Sequence, residues 1–361
     1  MKPRTYLDWN ATAPLRPQAR AAMLAAMELP GNPSSVHAEG RAARAAVERA
    51  RAQVAAAVGC APGQVIFTSG ATEAAGVLAG FGRVTVQPTA HDAVFAHRRD
   101  GDGDGPSVHA MGLANSETGI VSDLPERGPD GWPVPGAPPA DLLLLDITQA
   151  VGRIPFSFAW SGADMAILSA HKLGGPKGVG ALILRDGLAV PALALGGGQE
   201  TGRRAGTENV IGIAGFGAAA EDAMRDLDAG AMARVEKLRN ILEETLASAF
   251  PMTIFVGQGA ARLPNSACIA TPGWKAETQV MQMDLAGYAI SAGAACSSGK
   301  VRPSRVLTAM GLDDETARSA IRVSLGPMTT EDEIRGFCAA WIAARTRYGD
   351  RQSGAPTRRE G

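Results

Sequence analysis

Residues 163–178 read Ala-Asp-Met-Ala-Ile-Leu-Ser-Ala-His-Lys-Leu-Gly-Gly-Pro-Lys-Gly. The segment opens with a nearly continuous apolar run, which predicts a strand covered on both faces, as in a largely parallel sheet. The run leads directly into His171 and Lys172. Because burial disfavours the ammonium form, a lysine at this place becomes a usable amine for a Schiff base. Taken alone, such a segment is more often a basic turn after a strand. A Walker phosphate loop does not fit, because no Gly-Lys-Ser/Thr follows.

Three other apolar runs predict strands of the same kind, at 64–68, 141–146 and 180–184. Asp146 ends the second run, and a carboxylate at a strand end can keep a pyridine nitrogen protonated. Residues 69–72 follow the first run as Ser-Gly-Ala-Thr, and backbone N–H groups at a helix start suit a phosphate. Each signal is weak alone, since Asp146 could cap a helix and the glycine turn could be only a turn. Together with Lys172 they provide the groups that pyridoxal 5′-phosphate (PLP) requires.

The length of the chain predicts two domains. It has 361 residues, 45% of them hydrophobic, and domains average about 150 residues. We expect an α/β fold with a large PLP-binding domain at 15–228, in which helices flank a mainly parallel sheet. A smaller α+β domain is expected from 1–14 and 229–347, and a disordered tail at 348–361.

Two local features are predicted outside the strands. The spacing of valines among alanines predicts a helix over 38–58, with Ser34 or Ser35 as its cap and Gly59 as its stop. Residues 125–140 are rich in proline and glycine, which excludes a helix or a central strand. We predict that they form a surface loop.

Charge and composition argue against several classes of partner and site. Lys and Arg number 35 against 36 Asp and Glu, for a formal net charge of −1. This balance argues against binding to nucleic acid or to an anionic membrane. No uncharged apolar stretch is long enough to span a membrane, and no secretory signal is visible, so we expect a cytoplasmic protein. The cysteines form no Cys-x-x-Cys pair and have no clustered histidines nearby, so no metal site is predicted.

Cys296 differs from the other three cysteines in its surroundings. It lies among small residues in the segment 290–300, and Lys300 and Arg302 nearby favour its thiolate. The ordinary expectation for a free cysteine is an inert buried side chain. We apply that interpretation to Cys60, Cys268 and Cys338. For Cys296 the sequence instead favours a mobile, reactive thiol.

At this point the sequence resembles the cysteine desulfurases, PLP enzymes of fold type I in the class V aminotransferase group. The resemblance extends over nearly the whole chain. In chain order it rests on residues 6–14, 31–37, 67–73, 146–152, 171–172, 204–207, 291–298 and 319–326. So many motifs in the same order make a chance match very unlikely.

The resemblance implies a set of cofactor contacts. Lys172 would carry PLP as a Schiff base and move protons at the substrate Cα. His91 would stack on the ring and act as an acid–base group, Asp146 would pair with the pyridine nitrogen, and Gln149 would reach the ring hydroxyl. The phosphate end would be held by Ala71, Thr72, Ser169 and His171, together with Thr207 from the partner subunit of a homodimer.

The resemblance also implies the substrate and the reaction. Asn32 and Arg322 would bind the carboxylate of L-cysteine. The Cys296 thiolate would attack the substrate sulfur, releasing L-alanine and leaving a persulfide. That sulfur would pass to an iron–sulfur scaffold or another acceptor.

The chain departs from the family pattern in two places. Ser116 stands where the family has an asparagine that contacts the ring, so that bond is either lost or replaced by one from Asn115 or a water. The stretch between Thr72 and Asp146 is shorter than the family norm by about one βα unit, ~30 residues. We therefore expect a trimmed sheet edge.

Three functions are weighed on these features. The first is a cysteine desulfurase, which needs both a PLP lysine and a mobile thiol. The second is a selenocysteine lyase or another class V aminotransferase; a transaminase needs no thiol at Cys296, whereas a selenocysteine lyase could use the same groups. The third is a non-catalytic partner subunit, supported only by Ser116 and the shortened stretch, and opposed by the retention of Lys172, Asp146 and Arg322.

Overall fold

The computed structural model of the protein describes residues 4–101, 105–293 and 303–352. The chain divides into two compact units. The larger unit consists of residues 12–116 and 121–229, and the smaller unit of 1–11, 117–120 and 230–361. Among the described residues, no helix is long and apolar enough to cross a membrane.

The secondary structure alternates short strands with helices. The strands are β1 (Thr5–Tyr6), β2 (Val65–Thr68), β3 (Val84–Val86), β4 (Val108–Gly112), β5 (Trp132–Val134), β6 (Ala137–Ala140), β7 (Leu142–Asp146), β8 (Met165–Ser169), β9 (Gly180–Leu184), β10 (Ile254–Phe255), β11 (Ser266–Ala270), β12 (Tyr288–Ala289), β13 (Ser291–Ala292) and β14 (Ile321–Ser324). The helices are α1 (Pro17–Met27), α2 (Ala38–Val58), α3 (Ala71–Ala75), α4 (Asp92–Phe95), α5 (Phe158–Ser161), α6 (Val210–Asp228), α7 (Ala231–Ala249), α8 (Ala276–Leu285), α9 (Arg305–Ala309), α10 (Asp314–Ser319) and α11 (Glu331–Gln352). Short 3₁₀ turns occur at Pro62–Gln64, Gly76–Gly80, Ala170–Lys172 and Gln199–Gly202.

The larger unit is built on a six-stranded sheet in the order β2-β9-β8-β7-β4-β3. Strands β3, β4, β7 and β8 are parallel, whereas β9 runs antiparallel to its neighbours β8 and β2. Every residue of β8 and β9 is buried, as continuous apolar runs predict for strands covered on both faces. The strands predicted from the four apolar runs are confirmed.

Helix α2 has the predicted bounds but a different cap. It spans 38–58 and ends at Gly59, whose φ of 66° is in the left-handed region that glycine adopts easily. The N-cap is His37, whose ring accepts a hydrogen bond from an N–H of the first turn. The prediction of Ser34 or Ser35 as the cap was therefore wrong, because the helix begins directly after His37.

Helix α6 packs against α1 and α2. A Cβ at Gly217 would lie 2.6 Å from the Cα of Ala50, so the missing side chain permits the close approach of α6 to α2. Arg16 also forms ion pairs with two aspartates of α6, at 2.8 Å from Asp222 and 2.6 Å from Asp226. These contacts hold α6 against α1 and α2.

The segment 125–140 corrects the prediction of a plain surface loop. It contains an antiparallel hairpin of β5 and β6. Trp132 on β5 is buried, and its indole N–H donates to the carboxylate of Asp164 at 3.0 Å. Arg83 donates to the carbonyl of Pro139 at 2.6 Å. Prolines fit here because the hairpin is a two-stranded sheet of its own, where many N–H groups need no strand partner.

The smaller unit contains an antiparallel sheet in the order β10-β11-β14-β13, with β1 and β12 as a separate parallel pair. Helix α11 packs on α7 and α8. The rings of Trp274 and Trp341 lie 5.3 Å apart, and Trp341 donates to Gln279 at 3.1 Å. Helix α11 continues to Gln352, past the expected start of the tail at residue 348. Residues 353–361 lie outside the described part of the chain.

Candidate active site

The carboxyl ends of three strands meet at one edge of the large sheet. Strand β7 ends at Asp146 and β8 ends at Ser169. In the register of these strands Asp146 lies opposite Ile167 of β8. Gly180 of β9 pairs with both Ser169 and Thr68, the last residue of β2. This edge is where open α/β sheets place their sites.

Gly180 lets the turn after β2 approach Ser169. A Cβ at 180 would lie 2.6 Å from the Cα of Gly70 and 2.5 Å from the carbonyl oxygen of Leu168, so no side chain fits there. A Cβ placed on Gly70 would in turn lie 3.5 Å from the hydroxyl oxygen of Ser169. Helix α3 begins at Ala71, and the first N–H groups of a helix have no acceptor within it. The turn and Ser169 therefore supply N–H and O–H donors of the kind that bind a phosphate.

Glu73 holds the same turn in place. Its carboxylate accepts from the Ser69 N–H at 2.6 Å and from Arg204 at 2.8 Å. Burial alone would raise the pKa of Glu73, but the hydrogen bonds from Arg204 and Ser69 outweigh burial and lower it. The ionised carboxylate thus fixes the donors of the turn, while the side chain of Thr72 between them is exposed.

If this turn holds the phosphate of PLP, as the sequence predicts, Gly180→Ala should weaken the binding of PLP by about tenfold or more. The added methyl group would push Gly70 away from Ser169, and overpacking of this kind costs about 1–3 kcal/mol, where 1.4 kcal/mol is tenfold. Titration of the apo-protein with PLP, followed by visible absorption, measures the effect. Gly63→Ala is the matched control, because a Cβ at Gly63 meets no atom within 4 Å. Equal PLP affinity in Gly180→Ala and the parent would place the phosphate elsewhere.

Arg153 is a site residue that the sequence did not reveal. Its buried guanidinium donates to the side-chain oxygen of Gln149, to the Gln149 carbonyl at 2.9 Å and to the Lys172 carbonyl at 3.0 Å. Because arginine only donates, Gln149 must face it with oxygen, which orients its amide nitrogen the other way. Arg153 thereby joins the turns after β7 and β8. The four-residue spacing of Gln149 and Arg153 is the one sequence signal that could have suggested their contact.

His171 and Lys172 lie in the 3₁₀ turn after β8. The His171 ring nitrogen Nδ1 lies 3.2 Å from the Thr12 hydroxyl, and the His171 carbonyl accepts from the Ala13 N–H at 2.8 Å. Burial, together with the charges of Lys172 and Lys177, lowers the pKa of His171 to about 4. The ring is therefore neutral at pH 7. A neutral imidazole can serve as a hydrogen-bond donor without adding a buried charge.

His91 caps the short helix α4. Its Nδ1 accepts from the Ala93 N–H at 3.1 Å, so a neutral ring carries its proton on Nε2. Asn115 donates from its side-chain nitrogen to the Thr89 carbonyl at 2.9 Å. Asn115 therefore positions the loop before His91.

The carboxylate of Asp146 is oriented by a neighbouring backbone group, since it accepts a hydrogen bond from the Thr148 N–H at 2.9 Å.

Two predicted residues of the larger unit are exposed. Asn32 is exposed, and its side-chain oxygen accepts from the Ser34 N–H at 2.9 Å. Thr207 is also exposed. Among the described residues, neither is hydrogen-bonded to Lys172, Asp146 or Ser169.

Of the two remaining predicted residues, the structure describes Arg322, which belongs to the smaller unit. Arg322 lies on β14, is buried, and forms an ion pair with Asp8 at 2.7 Å. Cys296 lies outside the described residues.

The comparisons with known proteins agree with this fold. The sequence model of the class-V aminotransferase family matches residues 5–92 and 107–337. The chain therefore belongs to the class-V aminotransferase family, whose members are generally PLP-dependent. The gap in the match falls within the stretch that the sequence predicts to be shortened.

The relatives of the chain indicate the group within this family to which it is most similar in sequence. The chain is 40% identical to a cysteine desulfurase of Cereibacter sphaeroides, over 92% of this chain and 93% of that protein. It is 42% identical to one from Frankia sp., over 94% and 90% of the two chains. The solved structure of a NifS-like protein from Rickettsia africae matches with a TM-score of 0.83 and 28% identity, over 95% and 99% of the chains. Within the class-V family the chain groups with the cysteine desulfurases, so the aminotransferase and selenocysteine lyase alternatives are not favoured.

Proposed function

We propose that this protein is a PLP-dependent cysteine desulfurase that converts L-cysteine to L-alanine and transfers the sulfur to Cys296. The observation that carries the proposal is the group at the sheet edge. A lysine follows β8, a carboxylate ends β7, and Arg153 joins the turns after the two strands. This arrangement lies in a chain whose curated relatives are cysteine desulfurases.

The residues at the edge fit PLP. Asp146 supplies a carboxylate for the pyridine nitrogen, and Gln149, oriented by Arg153, supplies an amide donor for the ring hydroxyl. Lys172 supplies the amine for the aldehyde, and His91 a ring for stacking. The phosphate would be held by Ala71, Thr72, Ser169 and His171, with Thr207 from a partner subunit. When bound, PLP supplies an electron sink that makes the substrate's bonds at Cα and Cβ labile.

The protein residues carry the remaining steps. Asn32 and Arg322 bind the carboxylate of L-cysteine, and the Lys172 amine moves protons at its Cα. The Cys296 thiolate attacks the substrate sulfur, and the Cβ–S bond breaks with its electron pair going to carbon. A proton taken up at that carbon gives L-alanine, and the transferred sulfur remains on Cys296 as a persulfide.

The setting of the enzyme follows from this chemistry. A persulfide needs an acceptor, so we propose transfer to an iron–sulfur scaffold or another sulfur-accepting protein. The expected role of Thr207 requires a homodimer. A reactive thiol such as that of Cys296 is maintained in a reducing compartment, for which we propose the cytoplasm.

The proposed function is tested by the visible spectrum of the purified protein before and after L-cysteine and a reductant. We expect a cofactor band that shifts with the substrate, with sulfide and alanine formed in equal amounts. A band without sulfide from L-cysteine would contradict the desulfurase assignment. Absence of any band after PLP is added would contradict the cofactor assignment as well.

A further inference from the structure

The N-terminal segment places Asp8 beside β14 through backbone bonds. The N–H of Leu7 donates to Ala289 at 2.9 Å, and its carbonyl accepts from the Ser324 N–H at 2.9 Å. The Trp9 N–H donates to the Ser324 carbonyl at 3.2 Å. Asp8 is therefore held from both sides, and the position of its carboxylate is set by the main chain.

The carboxylate of Asp8 has two defined partners. One oxygen accepts from Nη2 of Arg322 at 2.7 Å, and the other accepts from the Ser291 hydroxyl at 2.8 Å. The side chains of Asp8 and Arg322 are only 16% and 10% exposed. Little solvent screens the pair, so the contact restricts the guanidinium more than a surface ion pair would.

This contact bears on how Arg322 meets a substrate. A guanidinium is a planar fork of five N–H donors, and it recognises a carboxylate best when the plane of the fork is fixed. Asp8 engages one nitrogen of the fork, which determines the direction in which the rest of the plane points. The pair as a whole is neutral, so its recognition of a second carboxylate depends on geometry rather than on net charge.

We propose that Asp8 is a positioning residue that orients Arg322 toward the α-carboxylate of the amino-acid substrate. The inference rests on the proposed function, in which Arg322 binds that carboxylate. It adds that Asp8 determines selectivity for substrates with a carboxylate over those without one.

The test compares two probes that differ only in the carboxylate, L-cysteine and cysteamine. Binding is followed by the visible absorption of the bound cofactor, in holoprotein carrying Cys296→Ala so that turnover does not interfere. We expect Asp8→Asn to weaken the binding of L-cysteine by about tenfold or more, as loss of a charge-assisted hydrogen bond predicts. The affinity for cysteamine should change less than about threefold, within the ordinary scatter of such contacts.

Matched variants separate positioning from simple destabilisation. Asp284 forms an exposed ion pair with Arg4 in the same unit, so Asp284→Asn should leave both affinities unchanged. Asp8→Glu keeps the charge but moves it by one methylene, so it should also lower the selectivity for L-cysteine over cysteamine. It replaces Asp8→Asn in the test if Asp8→Asn does not fold. Arg322→Lys should lose the selectivity, and adding Asp8→Asn to it should cost little more.

The outcomes distinguish the two proposals. If the parent holoprotein does not prefer L-cysteine to cysteamine, or if Arg322→Lys keeps the preference, the substrate assignment itself is wrong. If Arg322→Lys loses the preference while Asp8→Asn binds L-cysteine as tightly as the parent, only the role of Asp8 is overturned. An equal loss for both probes in Asp8→Asn would also overturn it, because that pattern marks a structural role.

Discussion

Replacement of Lys172 by alanine should abolish the visible absorption of bound cofactor and lower turnover of L-cysteine by at least about 10³-fold. Lys172 leaves β8 in a short turn, and its carbonyl is held by Arg153 at 3.0 Å, so its backbone is fixed beside the site. Alanine offers no amine to attach the cofactor or to move protons at the substrate Cα. The visible spectrum of the protein, recorded with excess PLP, measures the loss of cofactor absorption. A sulfide assay measures the loss of turnover.

Lys177 provides the matched control for Lys172. It lies in the same loop, but it is exposed. Lys177→Ala should therefore keep the absorption band and the activity of the parent. A band of parental intensity in Lys172→Ala would show that another amine carries the cofactor. Loss of the band in both variants would point to damage to the loop rather than to a missing amine.

The strands were predictable because their signal is local. Residues 142–145 and 165–168 are apolar without interruption, and a short run of this kind is typical of a strand covered on both faces. The hairpin within 125–140 was not predictable, because its anchor is a tertiary contact. Trp132 is buried and donates a hydrogen bond to Asp164, and nothing near Trp132 in the sequence indicates that partner.

The site shows the same division between local and distant signals. Lys172 and Asp146 were predictable as candidate site residues because each lies at the end of an apolar run, and strand ends of a parallel sheet gather at one edge. The role of Gly180 depends on the approach of Gly70, far away in the chain, so it emerges only from the fold. Asp8 and Arg322 are more distant still, and their pairing depends on the register of the N-terminal segment against β14.

Replacement of Cys296 by alanine should abolish sulfide release while leaving the cofactor band and the binding of L-cysteine intact. Deletion of a catalytic group costs about 10²-fold or more, so we expect less than about 1% of the parental rate. The sequence around Cys296 supports a reactive thiol, since Lys300 and Arg302 lie close by in the chain. Sulfide assays with a reductant measure sulfur transfer, and spectral titration of each variant with L-cysteine measures substrate binding.

The other three thiols are poor nucleophiles, so none of them is expected to replace Cys296 in the Cys296→Ala variant. Burial raises the pKa of Cys60 and of Cys268 to about 12 and that of Cys338 to about 11, so all three stay protonated at neutral pH. Cys60 is half-buried, and Cys60→Ala is therefore the control expected to keep full activity. Sulfide release at the parental rate by Cys296→Ala would mean that the sulfur leaves without a protein persulfide at this position. Loss of the cofactor band in that variant would instead place residue 296 in cofactor binding rather than in sulfur transfer.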